Sequence, residues 1–74
     1  MHSVHLYIHE TLDSSHLGKV KDVLAHIPHV VDVGVSEKAP HDVYVDYEER
    51  QHDIPMKILQ ALENQGLHPD IVSG

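Results

Sequence analysis

The chain has 74 residues with no Cys, Trp or Phe, and twelve Asp and Glu against five Lys and Arg give a formal charge of -7. Such a length holds one domain, Met1–Gly74, with a modest core of Val, Leu and Ile, and the missing thiols exclude disulfides, thiol redox chemistry and thiolate metal ligation. The acidic balance argues against nucleic acid and anionic membrane surfaces as partners; no apolar run approaches the roughly 20 residues of a transmembrane helix, so a cytoplasmic location is the expectation.

Alternation of Val4, Leu6 and Ile8 with His5, Tyr7 and His9 predicts a half-buried strand from Ser3 to His9. After the mostly polar stretch from Glu10 to Ser15, Leu17, Val20, Leu24 and Ile27 recur at helical steps, predicting a helix from about Ser14 to His26 that Asp13 caps and Pro28 ends. Val30 to Val35 and Val43 to Tyr47 read as the second and third strands, joined by a turn over Ser36 to Asp42 that contains Pro40. A second helix begins near Asp53 and Ile54, tolerates Pro55 in its first turn, turns Ile54, Ile58, Ala61 and Leu62 inward and stops at Gly66. A short strand over Asp70 to Val72 closes the chain.

Strand, helix, hairpin, helix, strand at these lengths predicts an α+β fold, the ferredoxin-like βαββαβ sandwich. It has one antiparallel four-stranded sheet in the order 4-1-3-2, with both helices on one face. The expected core is Val4, Leu6, Ile8, Leu17, Val20, Leu24, Val33, Val35, Val45, Ile58 and Leu62. This topology gathers His9, Glu10, Asp13, His16, His41 and His68 at one edge. It sends His2, His26, His29 and His52 to the other and leaves His5 in the middle of the open sheet face.

Read in register, Val20, Leu24, Ile27, Pro28, Val30, Val33, Val35, Val43, Val45, Tyr47, Ile54, Ile58, Leu62 and Gly66 resemble the apolar and turn pattern of heavy-metal-associated domains, the metallochaperones and ATPase modules that carry soft metals. The resemblance spans nearly the whole chain. That family's motif is Met-x-Cys-x-x-Cys in the first loop, and the register sets Thr11, Asp13 and His16 at the Met and the two Cys. Both thiolates are absent, so Cu(I) transfer by paired thiolates is not implied. His29 stands where the family has Gly before the second strand, and Leu67 where it has Tyr.

Asp13 and His16 nevertheless keep two potential ligands three residues apart at a helix start. Carboxylate and imidazole suit Zn(II), Ni(II), Co(II) or Cu(II), and His9, His41 and His68 are the imidazoles expected to complete such a metal site. The bland reading of the same residues is an ordinary N-cap followed by a helical His. Nine His in so small a chain also bring imidazoles together by chance.

Two functions therefore compete: a metal-binding or metal-sensing domain using His and Asp in place of Cys, and a cysteine-free scaffold working by protein contact. The second draws on an open sheet face bearing His5, Tyr7, His9 and Tyr44, suited to a homodimer or a protein partner. A weaker third reading is a small-ligand ACT-like module, which would place Gly in the first turn, whereas Gly18 falls inside the helix. Enzyme motifs are missing: there is no phosphate loop, HExxH or nucleophile elbow, and the lone Arg50 lies near the far edge from the first loop.

Overall fold

Alternating side chains and two apolar helical stripes set the architecture of the computed structural model, which describes residues 2–48 and 53–73. The elements run β1 (His2–Ile8), α1 (Ser14–Ala25), β2 (Val30–Ser36), β3 (Ala39–Tyr47), α2 (Ile54–Asn64) and β4 (Pro69–Ser73). The strands form one antiparallel sheet in the order β2-β3-β1-β4, the expected order read from its other edge. Expectations for Arg50 and His52 fall outside the described residues.

The core lies between the sheet and the helices. Val4, Leu6 and Ile8 of β1, Val43, Val45 and Tyr47 of β3 and Val33 of β2 meet Leu17, Val20 and Leu24 of α1 and Ile54, Ile58 and Leu62 of α2. Among the described residues no polar side chain is buried, so burial of apolar surface is what stabilises this interior. Of the expected core, Val35 alone is half-buried, packed against the cluster from the edge strand. Leu12, in the stretch that reads as polar, is buried instead.

Local chemistry explains the boundaries. Asp13 adopts extended backbone and its carboxylate accepts from the His16 N–H, capping α1. Pro55 occupies the first turn of α2, where its missing N–H is harmless. At the other end of α2, Gly66 takes φ 79°, and its N–H bonds the Glu63 carbonyl while the Leu67 N–H bonds that of Leu62, the paired closure that a left-handed residue permits.

The predicted turn over Ser36 to Asp42 is a correction. The strand β3 already begins at Ala39 and includes Pro40. The pairing jumps from Val35↔Val43 to Ser36↔Ala39, so residues 40–42 bulge out of the β2 ladder, and a Pro in a bulge removes no ladder hydrogen bond.

Candidate functional site

The end of the domain formed by the close of β1, the start of α1, the start of β3 and the approach to β4 holds all five candidate ligands. Asp13 Oδ1 accepts from the His16 backbone N–H at 2.9 Å and from His16 Nδ1–H at 2.7 Å. A carboxylate only accepts, so a proton sits on His16 Nδ1, and in the neutral ring it is Nε2 that carries the lone pair. Both side chains are about two-thirds exposed, His16 64% and Asp13 67%. The bonds from His16, backbone first and imidazole second, hold the Asp13 carboxyl below its ordinary value.

His41 is fixed by a carbonyl. Its Nδ1–H donates to Ile8 O at 2.7 Å, and its Nε2 faces Thr11 Oγ1 at 3.5 Å. Its ring stacks on Tyr7 with centroids 5.1 Å apart. In His16 and His41 alike, Nε2 is therefore the nitrogen left to accept.

His68 and His9, like His16, have carboxylate partners. Glu10 accepts from the His68 backbone N–H at 2.7 Å and from His68 Nδ1–H. The imidazole bond, then the backbone bond, lowers the Glu10 pKa to about 2, and the same carboxylate raises that of His68. This pairing favours imidazolium, which has no lone pair to offer a metal. His9 Nε2 bonds the Asp70 carboxylate across β1 and β4.

The predicted residues thus share one end of the domain but divide into separate pairs. Among the described residues no group of three or more His, Asp or Glu side chains is assembled to hold a metal ion. The sequence places Glu10 with the imidazoles at this edge without pairing it to His68, and leaves Asp70 out of the group. Glu10 and Asp70 meet imidazoles 58 and 61 residues distant, separations that leave no local signal.

A cavity of about 140 Å³ lies beside His16, lined also by Leu12, Lys19, Val20, Gln65 and Leu67. That is well below the roughly 300 Å³ at which pockets begin to enclose organic cofactors. The other end of the domain carries His26, which donates from Nδ1 to Asp22 O at 2.7 Å, and His29, which lies 3.3 Å from Glu48. On the open sheet face His5 Nε2 bonds Asp42 at 2.8 Å and its ring stacks on Tyr44, centroids 4.3 Å apart. No helix among the described residues is long and apolar enough to cross a membrane.

No family model matches the sequence, and comparison with curated proteins finds no match. Solved structures do match. Oxidised MerP from Ralstonia metallidurans CH34 superposes with a TM-score of 0.83 at 17% identity, covering 97% of each chain. The N-terminal domain of ZntA in its Zn(II) form gives 0.83 at 18% identity, covering 97% of this chain and 93% of that one. The yeast copper transporter domain CCC2A, solved in apo and Cu(I)-loaded states, gives 0.81 at 18% identity, covering 96% and 94%. The fold is that of heavy-metal-associated domains, here in a chain without cysteine.

Proposed function

We propose that this chain is a metal-binding domain in which imidazole replaces thiolate, taking a borderline divalent ion, Zn(II), Ni(II), Co(II) or Cu(II), at the loop between β1 and α1. The observation that carries this reading is the bond from His16 Nδ1–H to Asp13. A carboxylate behind an imidazole fixes its tautomer and aims Nε2 outward, which is the outer-shell arrangement that metal-ligating His commonly has. Asp13 thereby serves His16 and caps the helix in one geometry.

His41 supports the same reading, since the Ile8 carbonyl orients it and its Nε2 reaches toward Thr11 of the first loop. His68 is held by Glu10 through Nδ1 as His16 is by Asp13, but Glu10 raises its pKa and it joins only after losing its second proton; His9 holds Asp70 through Nε2 and joins by releasing it, so both are auxiliary ligands. With no group of three donors assembled among the described residues, water or rotated exposed side chains complete the coordination. Affinity is then modest, on the order of micromolar. The fold shared with a Zn(II)-form and a Cu(I)-loaded domain makes metal handling the economical reading of this scaffold.

Calorimetric titration of metal-free protein with each of the four ions tests it. His16→Ala is expected to weaken binding at least tenfold, equivalent to about 1.4 kcal/mol, and His41→Ala by a similar factor. A parent protein that binds none of the ions more tightly than about millimolar would defeat the metal reading.

A further inference from the structure

The open sheet face has a charge pattern that the metal reading does not use. The four strands contain Asp32, Asp42, Asp46 and Asp70 and no Lys or Arg, whereas Lys19, Lys21 and Lys57 sit on the helices and Lys38 in the β2–β3 turn. All four carboxylates stand on the face away from the helices. Asp42 and Asp70 bond His5 and His9 there, Asp46 bonds Ser3, and Asp32 is the register partner of Asp46.

Two like charges directly opposite on neighbouring strands repel, and no cation of the described strands relieves them. Beside this pair the sheet is notched. Gly34 is the register partner of Tyr44, so the residue opposite Tyr44 on β2 contributes no side chain, and Tyr44 is 51% exposed. One flank of its ring is stacked by His5. A flat ring, an open notch and two carboxylates with no cation partner among the described residues thus adjoin on one surface.

We propose that this face docks a basic, arginine-bearing segment of a different protein. A guanidinium laid in the Gly34 notch stacks on Tyr44 while its N–H groups donate to Asp32 and Asp46, combining the planar and bidentate preferences that separate Arg from Lys. A second copy of this chain does not fit, because it presents the same carboxylates and like charge across an interface opposes pairing. Nucleic acid is repelled for the same reason. The inference is independent of the metal reading, since it uses none of the first-loop residues.

The test titrates the intact chain with an oligo-arginine peptide and an oligo-lysine peptide of equal length, following backbone amides by heteronuclear NMR. The expected result is perturbation centred on Asp32, Gly34, Tyr44 and Asp46, with the arginine peptide bound at least about threefold more tightly. A Cβ at Gly34 meets Tyr44 Cβ at 3.7 Å, an ordinary contact, and Gly34 has no positive φ. Since β-branched residues suit an exposed strand position, Gly34→Val is expected to keep the fold, which its amide spectrum checks, and to weaken the arginine peptide about tenfold by filling the notch.

Net charge is controlled by comparing Asp32→Asn/Asp46→Asn with Asp22→Asn/Glu63→Gln, which removes equal charge from the helices. Only the first pair is expected to weaken binding beyond about threefold. Equal losses from both pairs, an unaffected Gly34→Val, or perturbation spread over α1 and α2 would each overturn the proposal. So would concentration-dependent self-association through this face without peptide.

Discussion

His16 bonds one oxygen of Asp13 twice, through its backbone N–H and through its imidazole Nδ1–H. Helix cap and imidazole orientation are therefore one structural unit, and mutation separates them. Asp13→Ala is expected to cost about 1 kcal/mol in chemical denaturation through loss of the cap. His16→Ala leaves the cap intact and is expected to cost no more than about 0.5 kcal/mol. A His16→Ala loss equal to that of Asp13→Ala would mean that the imidazole, not the N–H, dominates the cap.

The Glu10 and His68 pair gives a pH signature with two limbs. Glu10 is lowered to about 2 in the fold, so its stabilisation is present above its ordinary carboxyl value and fades as pH falls toward that folded value. His68 is raised, so its stabilisation is complete below the ordinary imidazole value of about 6.5 and is lost as pH rises through its higher folded value. The stabilising window lies between the two ordinary values. Glu10→Gln is expected to lower the melting temperature within that window and to matter less in alkali. An NMR titration placing the His68 midpoint below about 6.5 would contradict this.

How far the sequence discloses the molecule depends on whether the information is local. Val4, Leu6 and Ile8 announce a strand, and Leu17, Val20 and Leu24 a helix, because their spacing repeats within a few residues, and all six are buried as that spacing implies. Leu12 is a single apolar residue in a polar loop and has no period to betray it. Pro40 reads as a turn because a ladder forbids it, yet the jump between Ser36↔Ala39 and Val35↔Val43 supplies the bulge that permits it. At the candidate site the edge follows from topology, whereas the pairing of His9 with Asp70 and of His68 with Glu10 depends on tertiary placement of β4 beside β1.

Leu24 offers a direct measure of the core, being fully buried on α1. Truncation to Ala removes its contacts and leaves a void in the core. A loss of about 2 to 5 kcal/mol is expected, a large share of a stability near the low end of about 5 to 15 kcal/mol. Urea denaturation of the variant measures it, and a loss under about 1 kcal/mol would mean that α1 packs loosely on the sheet.

His29 carries the one positive φ among the described non-glycine residues, 73°. It follows Pro28 in a turn closed by the bond from the Val30 N–H to the Ile27 carbonyl, so it sits at the third position of a Pro-led turn where the left-handed backbone ordinarily calls for Gly. A β-carbon in that region costs about 1 to 2 kcal/mol, while Gly returns about 0.5 to 1 kcal/mol of unfolded-chain entropy to the other side of the balance. The His29 contact with Glu48 at 3.3 Å is exposed, and such surface pairs contribute little. His29→Gly is therefore expected to stabilise the domain by about 0.5 to 1 kcal/mol, a rise of a few degrees in melting temperature. Because the bond from the Glu48 N–H to the His29 carbonyl involves backbone alone, it survives the substitution. His29→Ala keeps the strained φ, loses the same imidazole contact, and is expected to leave stability within about 0.5 kcal/mol of the parent. Should His29→Gly destabilise the fold while His29→Ala does the same, the imidazole contact with Glu48 outweighs the backbone strain and the turn is held by its side chain.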